Sequence, residues 1–182
     1  MENQPLGTIR QDIANTTGGS NTAIGYIAGG SINGSTSNTA VGDVALRLNI
    51  LGNDNKAVGA KAGQNVTSGQ NSFFGYAAGG LGAMSGSQNT FIGAIAGLNN
   101  ATGTNNTAIG YEALRGVTVV GSNVTSILTG TGNTAIGHSA GKSITTGSNN
   151  ITIGGGDLVI TVIGLVRHGG YFSVPTRVWR CL

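Results

Sequence analysis

Short apolar blocks separated by polar turn residues recur along the chain. Each block is a variant of Asn-Thr-Ala-Ile-Gly, in which two adjacent apolar positions lie between polar residues and a glycine. The blocks begin at Asn21, Asn38, Asn55, Asn71, Asn89, Asn106, Asn133 and Asn150. All but one of the steps between successive starts have nearly the same length, and the step from Asn106 to Asn133 is longer. This nearly fixed period predicts a repeat protein whose stacked units share one core.

A second anchor follows each block. The glycine of the block is followed, three positions later, by an alanine in seven copies. The glycines are Gly25, Gly42, Gly59, Gly75, Gly93, Gly110 and Gly137, and the alanines are Ala28, Ala45, Ala62, Ala78, Ala96, Ala113 and Ala140. Stretches such as Thr67-Ser68-Gly69 then complete each unit with residues that favour tight turns. The one long step predicts a loop inserted into a single coil, near residues 117–129.

Strands explain the blocks better than helices do. Glycine recurs inside every apolar stretch, where each one costs a helix about 1 kcal/mol relative to alanine. We therefore predict strands of about five residues, two per coil. Parallel coils stacked about 4.8 Å apart would then form a rod about 35 Å long.

Both faces of each strand are expected to be buried. Neighbouring strand residues point in opposite directions, and the third and fourth block positions are apolar in nearly every copy. The fourth position is held by Ile24, Val41, Val58, Phe74, Ile92, Ile109, Ile136 and Ile153. The lumen of the coil would cover one face. Other copies of the same chain are the simplest cover for the second face, which predicts a homotrimer.

Composition narrows the class of protein. The 182 residues suit one domain. Only 8% are charged, against about 25% in ordinary domains, as expected of a chain that hides its surface by stacking. The net charge is +3, and the basic residues form no stripe, so we expect no nucleic-acid partner. The longest apolar run, residues 158–166, is too short for a bilayer span, so no membrane insertion is expected.

No catalytic, metal or cofactor site is predicted. The six carboxylates include no close pair suited to acid–base chemistry, and the two histidines, His138 and His168, lie in unrelated segments. Residues 137–143 resemble a phosphate-binding loop, but three residues separate the glycines where the motif has four. Cys181 is the one cysteine. We therefore expect a structural protein that binds no cofactor and catalyses no reaction.

The recurrent N-T-A-[IV]-G-x-x-A pattern, over about residues 15–154, resembles the head repeats of trimeric autotransporter adhesins. It is equally similar to the Gly- and Asn-rich repeats of bacteriophage tail fibres and other virion fibres. The resemblance implies an all-β, left-handed parallel β-roll. This is a β-solenoid of about eight coils, each as long as one repeat, intertwined as a homotrimer. Such repeats serve both as spacers and as receptor-binding heads.

The sequence shows no signal peptide, heptad stalk or C-terminal membrane anchor of the autotransporter kind. We therefore predict a virion structural protein, a trimeric phage fibre or a capsid decoration protein that contacts a host-surface receptor. Its partners would be its own copies and other capsid or tail proteins, with assembly in the host cytoplasm.

The predicted layout has three parts. Residues 1–14 form an N-terminal attachment arm or cap, residues 15–154 the β-roll, and residues 155–182 a non-repetitive C-terminal cap or tip. Aromatic and basic residues gather in this last part and are the candidate tip or docking contacts. They are Arg167, Tyr171, Phe172, Arg177, Trp179 and Arg180.

Two other functions remain open at this point. One is a cell-surface adhesin head whose signal and anchor lie outside this sequence. The other is ice binding through a file of threonines on one face of the solenoid, which Lys56 and Ser72 interrupt. These threonines are Thr22, Thr39, Thr90, Thr107 and Thr134.

Overall fold

The computed structural model describes residues 18–80, 82–118 and 125–156. Its ten strands are β1 (Thr22–Ile24), β2 (Thr39–Val41), β3 (Lys56–Val58), β4 (Ser72–Phe74), β5 (Thr90–Ile92), β6 (Thr107–Ile109), β7 (Val117–Thr118), β8 (Thr125–Ser126), β9 (Thr134–Ile136) and β10 (Ile151–Ile153). The described part of the chain contains no helix.

Eight of these strands form one parallel sheet in the order β1-β2-β3-β4-β5-β6-β9-β10. Each strand pairs with the strand of the next coil in the register of the repeat, so that Ala23 lies beside Ala40 and Ile24 beside Val41. A strand–coil–strand path that returns each time to the next position of one parallel sheet is a β-solenoid. The predicted all-β solenoid is confirmed.

The prediction of two strands of about five residues per coil is wrong. Each full coil contributes one strand of three residues to the sheet. The second apolar stretch, around the anchor alanine, is a turn in which the residues on both sides of the alanine have positive φ. Val44 and Leu46, for example, flank Ala45 with φ of 50° and 48°. Their N–H groups still donate to neighbouring coils, to the carbonyls of Tyr26 and Ala62 at 2.8 and 3.0 Å.

The block asparagines form a buried ladder along the rod. Each one accepts, through its side-chain oxygen, the backbone N–H of the equivalent asparagine in the next coil. Seven such bonds of 2.9–3.0 Å run from Asn21 to Asn150. In most coils the amide nitrogen donates to a turn carbonyl, as Asn106 does to Gly130 at 2.9 Å. Since a buried polar group without a partner is costly, the ladder explains why this position is asparagine in every coil.

In four coils the lumen is filled by side chains whose sizes compensate for each other. Coils with phenylalanine at the third position, Phe73 and Phe91, carry glycine six positions later. Two coils with alanine there, at Ala40 and Ala108, carry leucine instead, Leu46 and Leu114. All of these apolar side chains are completely buried. The rings of Phe73 and Phe91 lie 5.9 Å apart. In these four coils a large residue at one position goes with a small residue at the other, whereas the coils of Ala23, Ala57 and Ala135 carry a small residue at both.

This compensation predicts a rescue. Phe91→Ala should lower the free energy of unfolding by about 3 kcal/mol, because it leaves a cavity in the lumen. Adding Gly97→Leu should restore about 1–2 kcal/mol of this loss, since it recreates the alanine and leucine combination of the β2 and β6 coils. Gly97→Leu alone should destabilise, because its Cβ would overlap the Phe91 ring. Urea unfolding of the four proteins gives the coupling. Additive effects would contradict compensation.

The longest coil carries a short hairpin. β7 and β8 pair in the antiparallel direction, Val117 with Ser126 and Thr118 with Thr125. The chain rejoins the solenoid at Leu128, which is completely buried and bridges to Asn100 of the preceding coil. The described strands β7 and β8 therefore lie outside the eight-stranded sheet, and Leu128 keeps its place in the core of the coil.

Candidate interaction surface

A continuous apolar file runs along the outside of the parallel sheet. It consists of the fourth residue of each block, which we call the outer ridge. Its members are Ile24, Val41, Val58, Phe74, Ile92, Ile109, Ile136 and Ile153. Each is paired in register with the next along the sheet. The coil spacing therefore sets these side chains about 4.8 Å apart in one straight line.

Burial differs sharply between the two faces of the strands. The third-position residues, which point inward, are buried in every coil. On the outer ridge, Val41 is half-buried, and the other members are exposed by 36% (Ile109) to 63% (Ile153). The described residues of the single chain therefore do not cover the outer face, and its cover by other copies of the chain stays a prediction. An apolar file of this length on a surface marks an interaction site.

Two further files flank the outer ridge. On one side lies the second block position, which is threonine or serine except for Lys56 and Ile151. On the other side lies the residue after the block glycine, which we call the sixth position. It is occupied by Tyr26, Asp43, Ala60, Tyr76, Ala94, Tyr111 and His138. Few charges therefore border the ridge, and an apolar partner surface could approach it without desolvating ion pairs.

The repeat positions singled out from the sequence lie in three places. The asparagines form the buried ladder. The anchor alanines are buried in the lumen. The block glycines follow the sheet strands, with φ between 120° and 132° from Gly25 to Gly154. The candidate tip residues Arg167, Tyr171, Phe172, Arg177, Trp179 and Arg180 fall outside the described residues, as do the arm and His168.

Three exposed tyrosines were missed from the sequence. Tyr26, Tyr76 and Tyr111 occupy the sixth position in the β1, β4 and β6 coils, and all three are exposed on the same side of the ridge. Counting residues from each block asparagine would have placed them in one file.

Some kinds of site are absent from the described part of the chain. Among residues 18–80, 82–118 and 125–156, no group of three or more His, Cys, Asp or Glu side chains could hold a metal ion. A membrane-spanning helix is likewise missing from these residues. The one ion pair that the described side chains show, Arg115 with Glu112 at 3.2 Å, lies within one coil.

Comparison of the chain with models of known protein families, with curated protein sequences and with solved structures finds no match. The function is therefore inferred from the solenoid fold and the outer ridge alone. They define the class of this protein as a β-solenoid repeat protein with an uncovered apolar ridge.

Proposed function

We propose that this chain is a structural protein of a virion, a homotrimeric fibre or capsid decoration protein built on a left-handed β-roll. In this proposal three parallel rods pack through their outer ridges, and the assembled trimer attaches to capsid or tail proteins. It is put together in the host cytoplasm, contacts a receptor on the host surface and performs no catalysis.

The outer ridge is the observation that carries the proposal. Its members are apolar and recur once per coil, so the apolar surface is continuous along the whole sheet. Burying a fully exposed apolar side chain contributes about 1.5–3 kcal/mol. Most ridge side chains are already more than half-buried, so each would add only a fraction of this on association, summed over eight coils. The outer ridge has one residue per coil at a regular spacing. Parallel copies related by an axis along the rod would therefore bring equivalent coils into contact.

The hydrogen-bond ladders support a role as a rigid rod. Side-chain bonds along the asparagine ladder and backbone bonds between the turns link every described coil to the next. Such a stack resists bending and local opening because each coil is held on two sides. A rod with a low charge content and an interior filled by side chains is suited to spacing or display.

The solution molar mass tests the assembly. One chain has a mass of 18.0 kDa. We expect light scattering on protein eluting from a sizing column to give three times this mass over a tenfold dilution. A mass of one chain would contradict the proposal. The virion assignment has a separate test, because the chain should then be detected by mass spectrometry in purified particles.

A further inference from the structure

In the sixth-position file on the outer face, two exposed tyrosines are separated by one alanine. Tyr76 and Tyr111 are exposed by 50% and 49%, and they belong to coils that are separated by one intervening coil. That coil carries Ala94 at the same position, which is half-buried. The two tyrosines are therefore attached to the sheet about 9.6 Å apart, two coil spacings, with an alanine between them. We call this feature the tyrosine slot.

Each ring of the tyrosine slot is supported from outside. The Lys61 ammonium, from the coil before Tyr76, lies 5.7 Å from the centre of the Tyr76 ring. The His138 ring, from the coil after Tyr111, is stacked on Tyr111 at 5.2 Å with 25° between the planes. Both supports come from the outer sides, from the coil before Tyr76 and the coil after Tyr111. The opposite face of each ring is therefore the one on the side of the Ala94 coil.

The width of the slot selects the shape of its occupant. Carbon atoms in contact lie about 3.5–4.0 Å apart, so a flat ring held between two tyrosines needs only about 7–8 Å. The remaining distance, about 2 Å, corresponds to the thickness that puckering and axial hydrogens give to a saturated ring. A pyranose has this thickness and presents C–H groups to the aromatic faces, while its hydroxyl groups at the rim reach water.

Charge at the slot argues against a cation. The Lys61 ammonium already lies on Tyr76, which opposes a second positive group at that ring. The carboxylate of Glu112, next to Tyr111, is occupied by Arg115 and by the Ser139 hydroxyl, both at 3.2 Å. A neutral or acidic group is therefore favoured.

We propose that the tyrosine slot of Tyr76, Ala94 and Tyr111 binds a pyranose ring of a neutral or acidic glycan. This inference rests on the proposed function for the existence of a receptor, and it adds the receptor's chemical class. It requires that the packed ridges leave the sixth-position file beside them open in the trimer. The slot repeats nowhere else in the described coils, since Tyr26 is three coils from Tyr76.

Saturation-transfer NMR on the full chain in its assembled state tests the proposal. The probes are maltohexaose, chitohexaose and an oligogalacturonate, each at millimolar concentration. The first two are neutral and the third is acidic, so they separate the two kinds of glycan. We expect transfer to at least one probe. Tyr76→Ala and Tyr111→Ala should each weaken that binding about tenfold, whereas the matched control Tyr26→Ala, which removes an exposed but unopposed tyrosine, should leave it unchanged.

The alternatives are distinguished by measuring molar mass in the same samples. No transfer to any of the three probes overturns the glycan proposal, while a trimeric mass in those samples keeps the proposed function. Equal weakening by Tyr26→Ala also overturns it, because a nonspecific aromatic surface would then explain binding. If Tyr76→Ala or Tyr111→Ala lowers the molar mass, a second copy occupies the slot and the glycan proposal is wrong.

Discussion

Gly75→Ala is expected to lower the free energy of unfolding by about 3–6 kcal/mol, most of the stability of a small domain. Gly75 has a φ of +132°, and a Cβ added there would lie 2.7 Å from the carbonyl carbon and oxygen of Gly93 in the next coil. Backbone strain and the overlap both oppose the substitution. The neighbour is backbone in the middle of the solenoid, so it cannot move aside as a flexible side chain could. Urea unfolding followed by circular dichroism measures the loss.

Gly155→Ala is the control for this prediction. Gly155 does not have a left-handed φ, and the closest described atom to an added Cβ is the His138 carbonyl oxygen at 4.0 Å. We expect its free energy of unfolding to change by no more than an ordinary surface substitution does, about 0.5 kcal/mol. Equal losses for the two variants would show that the coils do not approach each other as closely as the structure indicates.

Replacing two adjacent members of the outer ridge should dissolve the proposed trimer. In Ile92→Asp combined with Ile109→Asp, each carboxylate would be buried against the other copies, and an unpaired buried charge costs several kcal/mol. Within one chain both side chains are more than one-third exposed, so the fold itself should tolerate them. The expected molar mass falls from that of three chains to that of one, 18.0 kDa.

A matched double variant away from the ridge keeps this test specific. Ile50 and Leu51 are exposed apolar residues on the turn that follows the β2 coil, outside the outer ridge. Ile50→Asp with Leu51→Asp adds the same charge and removes more exposed apolar surface, since these side chains are 48% and 75% exposed, yet should leave three chains together. If this control also dissociates, general surface charge, not the ridge, governs the assembly.

The architecture was predictable because the repeat fixes both spacing and register. A block that recurs once per coil leaves one way to align successive strands, with Asn beside Asn and Gly beside Gly, and the sheet has this register throughout. Coil number and the position of the core followed from the same regularity, since local preference and the overall fold agree in every unit.

The second half of each coil was mispredicted for an identifiable reason. Ile27, Val44 and Ile95 have φ of 50–54°, a conformation that β-branched residues rarely adopt, so the sequence favoured a strand there. The N–H groups of Val44 and Ile95 donate to carbonyls of the preceding coils and hold the chain in a turn, and such long-range bonds leave no local trace. The block asparagines were evident as repeat positions, whereas their ladder depends on contacts with the neighbouring coils.

The candidate surface was only partly predictable. The apolar fourth position was evident, whereas its exposure in one chain required the structure, because an apolar residue at this position has the same sequence pattern on a covered and an uncovered face. The tyrosine slot depends on which coils carry Tyr and Ala at the sixth position, and on the supports that Lys61 and His138 provide.

The asparagine ladder has a consequence for how such a chain can change in evolution. Each interior coil offers the same acceptor to the coil after it and the same donor to the coil before it. A tandem duplication of one repeat unit would therefore find its bonding partners already in place, and so would a clean deletion. The hairpin coil shows that a segment can also be added sideways without disturbing the stack. The number of coils can thus change by duplication or deletion of a repeat, and segments can be inserted in single coils, independently of each other. The hydrogen bonds that join one coil to the next stay the same in both cases.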